Sequence, residues 1–391
     1  MKAGAAFGSS ARREAGLLRA RPFDLAMISW VPLALALLLC WTFAAGLPTR
    51  LPIGVRDDDH SALSRQLQRL LDAAPGLQVA QRYQDGAAVA RALRAGEVYA
   101  VLEIPGDFSR TVKSGQAGRV ALLHNAQFAT HSGLIQRDVR SVVGTLSAAV
   151  EVTAREKRGQ SELGAKQGFE PLRTALTAQF NTALNYEQFL ATALMPALLH
   201  VLAMVAGAWA VGRELRDGSV ARWSEAAAQP LAALAAKLAW PLLSLNLVNL
   251  LAWLWLTLAR GWVPAGSLPA VLALHAAMLA LYLALGALVA LASRSLRTAL
   301  SAAGFITAPA FAFSGIAFPL VAMPASARAW AEALPLTWVL QAQVSVLQLG
   351  AAPTPALGLA LLFAAIAGTM LVLAAPLLHR ATADPAAWGK R

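Results

Sequence analysis

Six apolar runs decide what this chain can fold into. They cover residues 25–46, 189–211, 231–258, 268–292, 299–320 and 356–378, and none contains Asp, Glu or Arg. A helix of about 20 residues crosses a hydrocarbon core about 30 Å thick, and each run is that long. The prediction is a polytopic α-helical membrane protein with six transmembrane helices. Composition agrees: 57% of the 391 residues are hydrophobic and 14% charged, where a soluble domain has about 25% charged. Lys237 falls near the start of the third run, where a lysine can reach the headgroups. A cleavable signal peptide fits poorly, because a long polar segment precedes the first run, which itself exceeds the usual length of about 7–15 apolar residues.

Lysine and arginine in the short loops set the orientation. Thirteen lie on one side: Lys2, Arg12, Arg13, Arg19, Arg21, Arg213, Arg216, Arg222, Arg294, Arg297, Arg380, Lys390 and Arg391. The other side has Arg260 and Arg328. Both termini are therefore expected in the cytoplasm and the long segment 47–188 outside. The net charge of +12 divides accordingly, with seventeen basic and fourteen acidic residues in 47–188. Most of the excess is positive-inside charge, and no basic stripe interleaved with aromatics argues for nucleic acid.

Segment 47–188 reads as an α/β extracytoplasmic domain inserted between helices 1 and 2, with a helical stalk from about residue 133 onward. Strands are expected at 51–55, 77–83, 98–104 and 120–123. Ser61 and Asp85 suit helix N-caps and Gly96 a helix stop. The Asp57-Asp58-Asp59-His60 turn has acids suited to a helix N-terminus and lacks the spacing of a hard-cation loop. His124 and His131 read as surface residues. No nucleophile elbow or zincin motif occurs, and Cys40 is the only cysteine, which excludes cysteine-based metal sites and an internal disulfide. No catalytic, metal or cofactor residue is assigned.

Active transport needs an energy source. None of the six lysines sits in a G-x-x-x-x-G-K-[ST] phosphate cradle, and the six runs carry no carboxylate for ion coupling. His200, His275, Asn246 and Asn249 are the strongly polar residues there, and interhelical packing is the usual use of such groups. A separate cytosolic motor follows, docking on a cytoplasmic loop. The best candidate is 212–230, where Arg213, Glu214, Arg216 and Asp217 alternate with Leu215, Val220 and Trp223 around Gly218.

That loop, Arg213-Glu214-Leu-Arg-Asp217-Gly218-Ser219, resembles the "RE-x-G-T" loop of ABC-2-type exporter permeases, with serine for threonine. Phe313-Ser-Gly315-Ile-Ala-Phe318-Pro319, continuing through Pro324 to Leu334-Pro335-Leu336-Thr337, is similar to the family's signature before its last helix, with Leu334 where asparagine is usual. The Arg12–Arg21 stretch is like the interfacial helix ahead of helix 1, giving a cytoplasmic amphipathic helix at 1–24. An insert opening with Asp57, Asp59 and Ser61 is similar to the long-periplasmic-domain subgroup of bacterial efflux permeases.

The resemblance implies a permease of the bacterial inner membrane, a homodimer or a heterodimer with a sister permease. ATP and Mg would be bound by a cytosolic ABC ATPase subunit, and a periplasmic adaptor is a further partner. Arg213, Glu214, Arg216, Asp217, Gly218 and Trp223 would couple to the ATPase. Segment 321–355 would form external re-entrant or interfacial helices, with Gly315, Pro319, Pro324 and Pro335 at the gate, and 379–391 a cytoplasmic tail. The expected cargo is hydrophobic or amphipathic. A membrane-anchored extracytoplasmic binding module is the competing class, although one helix would serve it. A secondary transporter is the third, weakened by the missing carboxylates and inverted repeat.

Overall fold

The computed structural model describes residues 3–157, 180–181 and 185–384. It divides into two compact units, Met1–Gly46 with Ala178–Arg391, and Leu47–Thr177. The first unit opens with helix α1 (Ala3–Ala20), then α2 (Pro22–Ile28) and α3 (Trp30–Thr42), which meet at Ser29. Pro22 fits the start of α2 because its missing N–H would be unpaired there in any case.

The Leu47–Thr177 unit holds a four-stranded sheet in the order β2-β1-β3-β4. The strands are β1 (Leu51–Asp57), β2 (Leu77–Tyr83), β3 (Ala100–Ile104) and β4 (Ala121–His124). The first three are parallel and β4 is antiparallel to β3. Crossover helices α4 (Ala62–Ala73) and α5 (Gly86–Ala95) link the parallel strands, and α6 (Phe108–Lys113) and α7 (Ala129–Lys157) follow. Ser61 and Asp85 accept the expected capping bonds, and Gly96 ends α5 with φ +72°. Ile53, Val55 and Leu102 pack with Leu67, Leu71 and Ile135 in one core, while Val101 on the other side meets Val89 and Ala92. Of the expected stalk, 158–179 and 182–184 lie outside the described residues.

In the remainder of the first unit, a π-helical turn, Glu187–Ala191, leads into α8 (Thr192–Arg216). A 3₁₀ turn, Ser219–Arg222, and α9 (Ser224–Ala228) connect it to α10 (Pro230–Leu254). Then come α11 (Leu268–Ser293), α12 (Leu296–Thr307), α13 (Ala325–Ala333), α14 (Pro335–Gln343) and α15 (Thr354–Ala383). Among the described residues, five helices are long and apolar enough to cross a membrane: Pro22–Thr42, Glu187–Arg216, Pro230–Ala259, Leu268–Ser293 and Thr354–Ala383.

The run 299–320 departs from its expected form as one transmembrane helix. Only α12 is α-helical, 12 residues long, about 18 Å at 1.5 Å per residue. Pro309 offers no N–H to the Phe305 carbonyl and its ring crowds that turn. Turns follow, and Gly315 takes φ +86°. The loop expected at 212–230 also begins later. Residues 212–216 continue α8, which ends where Gly218 adopts φ +63° and its N–H bonds the Leu215 carbonyl. Likewise 379–383, expected as tail, belong to α15, and 385–391 lie outside the described residues.

Helix α11 is the centre of this unit, packed against α8 and α15, with Leu274, Met278 and Tyr282 fully buried. Its approach to α8 is set by two glycines. A Cβ on Gly286 would lie 2.1 Å from the Met204 carbonyl oxygen, and one on Gly207 2.1 Å from that of Leu283. Small residues let membrane helices touch backbone to backbone. Gly286→Val should therefore push α8 and α11 apart at a cost of about 1–3 kcal/mol or more, seen as a lowered thermal midpoint in detergent. An unchanged midpoint would show that the contact is not close. On the outside, Leu361, Val372 and Leu373 of α15 are more than half exposed, as a lipid-facing surface requires.

Candidate functional site

Helix α1 buries a face that carries polar groups. Ala6, Ser10, Glu14 and Leu18 recur every fourth residue, so all four lie on one stripe, and all are buried. Ser10 accepts a hydrogen bond from Trp223 Nε1 at 2.8 Å. Glu14 meets two cations, Lys237 Nζ of α10 at 2.5 Å and the Arg213 guanidinium of α8. Arg213 also reaches Asp24 of α2, whose other oxygen accepts from Trp209 Nε1 at 2.9 Å.

Glu214 is held just as fully. Arg13 of α1 grips it with both terminal nitrogens, at 2.7 and 2.9 Å, and Lys237 Nζ donates at 2.7 Å. Ser219 donates to it as well. The Arg13 and Lys237 cations lie 5.6 and 4.8 Å from the centroid of the Trp223 ring, within cation–π range. Three acids (Glu14, Asp24, Glu214) thus face three bases (Arg13, Arg213, Lys237), and the set carries no net charge. Glu14, Glu214 and Lys237 are each 1% exposed. Such burial is tolerated only when every charge is paired and hydrogen-bonded. All six carboxylate oxygens have donors, whereas Arg213 Nε has no hydrogen-bond partner among the described residues.

These contacts correct two expectations. Lys237 does not reach toward headgroups, because two carboxylates hold it in the interior. Glu214 does not present its charge to another subunit, because Arg13 and Lys237 of the same chain already take it. Arg213 and Trp223 are buried with it. Among the expected coupling residues, Asp217 is exposed and Arg216 and Gly218 half-buried. Asp217 pairs with Arg216 at 2.8 Å and with Arg21 at 3.0 Å. The hydrogen bond from Arg216, joined by that from Arg21, holds the Asp217 carboxyl below the usual carboxylate range. Arg216 also covers the Trp209 ring at 5.1 Å.

The expected gate residues lie on a different part of the unit. Pro319 and Pro324 precede a 3₁₀ turn and α13, and Pro335 occupies the first turn of α14. Each stands at the start of an element, and Gly315 lies in the turns ahead of them. Helix α14 buries Leu336, Val339, Leu340 and Gln343. Gln343 donates to the Thr192 carbonyl at 3.0 Å and sits 3.0 Å from His275 Nε2, whose Nδ1 lies 3.3 Å from Asn249 Oδ1. Asn246 bonds its own helix at Leu242. His200 packs against the Tyr282 ring at 4.9 Å. Arg260 clamps Glu187 at 2.9 Å at this same end of α8. Thr192 and Arg213, 21 positions apart on α8, are separated by about 30 Å of helix.

Among the described residues, no group of three or more His, Cys, Asp or Glu side chains could hold a metal ion. Asp57 accepts from Ser64, Gln68 and two backbone N–H groups, and Asp59 from Ser109.

Glu14, Asp24, Arg13, Lys237 and Trp209 are participants that sequence reasoning did not assign. One signal was present: Glu14 and Asp24 are the only acids ahead of residue 47, in a segment otherwise rich in arginine. In comparison with known proteins, the family model described as "ABC-2 family transporter protein" matches residues 23–375. No curated protein and no solved structure gives a significant match.

Proposed function

The chain belongs to the ABC-2 family of transporter proteins, and we propose that it is the permease of an exporter driven by ATP hydrolysed in a separate subunit. As a family member it is a multi-pass membrane protein, the permease component of an ABC transporter, and it works with an ATP-binding subunit. The proposed reading adds direction, coupling and topology. A cytosolic ATPase docks on the loop beside α1 that carries exposed Asp217 and Arg222 with half-buried Arg216 and Gly218. The buried ions transmit its movement, because Arg13, Glu14 and Asp24 cannot leave Arg213, Glu214 and Lys237 without stranding charges in the interior. Helix α8 would carry that movement about 30 Å to Thr192 and Gln343. The observation that carries the reading is this net-neutral buried network, which fastens α1 to the ends of α8 and α10.

Both termini are proposed to be cytoplasmic, the 47–188 segment extracytoplasmic, and the membrane the bacterial inner membrane. That arrangement needs a sixth crossing. Helix α12 starts with Leu296 against Gly212 and packs along α8. The turns beyond it, with Ala310 and Ser314 fully buried, would complete the crossing where protein covers them. Gly315, Pro319, Pro324 and Pro335 would shape the external exit for a hydrophobic or amphipathic cargo. A dimer, with itself or a sister permease, is the proposed assembly, with a periplasmic adaptor as a further partner.

Two measurements test this. The chain co-expressed with an ABC ATPase encoded beside it should retain that subunit through purification; failure to retain it sinks the coupling. Ser114→Cys in a Cys40→Ala background should react with an impermeant thiol reagent in intact spheroplasts. Reaction only after lysis would reverse the topology.

A further inference from the structure

A cavity of about 230 Å³ lies beside the ion network, between α2, α8, α10 and α12. Its walls are apolar, with Met27, Val205, Ala206 and Leu300 among them, and Phe23, 67% exposed, brings it to the surface. Its polar lining is Glu14, Asp24 and Arg213, with the Trp209 side chain. An apolar cavity of about 150 Å³ is large enough to take benzene, so this one takes a molecule somewhat larger.

The polar end determines what kind of molecule. Both oxygens of Glu14 and both of Asp24 already accept from Arg213, Lys237 and Trp209. The donor left without a partner here, among the described residues, is the Arg213 Nε–H, on a side chain 3% exposed. Glu14 and Asp24 are balanced by Arg213 and Lys237 at this end, so a charged head of either sign would enter uncompensated. An uncharged acceptor, such as a hydroxyl, ether or carbonyl oxygen, can bond the Nε–H without adding charge.

We infer that this cavity binds an uncharged amphiphile, its apolar part against Met27, Val205 and Leu300 and its oxygen on the Arg213 Nε–H. That such a molecule is the cargo rests on the export reading above; that it binds here does not. Because Arg213 also joins α1 to α8, the occupant would touch the residues that carry the proposed stroke.

The test is photolabelling of the full chain in zwitterionic lipid nanodiscs with 3-azioctanol, a neutral alkanol bearing a diazirine, followed by peptide mapping. Label should concentrate on the peptides of Met27 and Val205, above that on lipid-facing Leu361. Excess octanol should compete, and octanoate should compete about tenfold less well. Ala206→Trp should fill the cavity and cut the Met27 label about tenfold while sparing Leu361. Equal labelling of Leu361 and Met27 would mean ordinary lipid contact and overturn the site. Equal competition by octanoate would overturn the neutral-head assignment, and this comparison needs no variant to fold. The labelling needs no ATPase, so absence of label from Met27 and Val205 of the parent chain, with ATPase retention normal in the separate co-expression experiment, would sink this site and leave the permease reading standing.

Discussion

Glu214→Gln is expected to destabilise the membrane unit by about 3–5 kcal/mol, the cost of removing one partner from a buried ion pair. The amide keeps the shape of the carboxylate but turns an NH₂ toward groups that are themselves donors. Arg13, 24% exposed along its side chain, can swing into water. Lys237, 1% exposed, cannot, and keeps only Glu14. The variant must then either keep an unmatched positive charge in the interior or release Arg13 and with it the bond that ties α1 to α8. The measurement is thermal unfolding in detergent together with the yield of monodisperse protein. Adding Arg13→Met should recover part of the loss, since it removes the cation that Glu214 balanced and leaves Glu14 and Asp24 matched by Arg213 and Lys237; a coupling of about 0.5–3 kcal/mol is usual for contacting residues. A single variant as stable as its parent would show that the network is not closed as described.

This outcome differs from what the loop's sequence suggests by itself. Read as a surface acid awaiting a partner subunit, Glu214 could be reversed to arginine with insertion and folding intact. With Lys237 and Arg13 already on it, Glu214→Arg puts a third cation into a buried site, and failure is expected at folding, before any docking step.

The contrast shows which features a sequence can reveal. Apolar length was legible because a bilayer imposes about 20 residues on any helix that crosses it. The caps at Ser61, Asp85 and Gly96 were legible because capping is local: the acceptor and the N–H it satisfies lie three or four residues apart. The break after Thr307 was missed because hydropathy counts Pro309 as an ordinary residue of an apolar run, whereas the backbone loses a hydrogen bond there. The ion network was hidden for a different reason. Glu14 and Arg213 are 199 positions apart, and Glu14 and Lys237 are 223 apart. Only the packing of α1 on α8 and α10 makes them neighbours. Gln343 was missed similarly, because it sits in a Pro-interrupted stretch read as external, yet it bonds the first turn of α8.

Asp217, three residues from Glu214, should behave in the opposite way. It is exposed, and its partners Arg216 and Arg21 are themselves partly solvated. Surface pairs of this kind contribute about 1 kcal/mol or less, so Asp217→Arg should fold and insert normally; the arginines that orient the loop are kept, and acids contribute little to orientation. If the 217–222 turn is the docking surface, the same change places a cation where a partner's cation must approach. Losing a desolvated interfacial pair costs about 2–5 kcal/mol, which is about 30- to 1,000-fold or more in affinity at tenfold per 1.4 kcal/mol. The expected result is a protein with the parent's thermal midpoint that no longer retains its ATPase on purification and no longer drives transport. Retention equal to the parent's would leave Asp217 as a topogenic-loop residue and move the docking surface elsewhere, with the exposed side of α1 as the next candidate. Because the Glu214 variant fails by unfolding and the Asp217 variant by dissociation, measuring both midpoint and retention separates the element that holds α1 in place from the one that meets the motor.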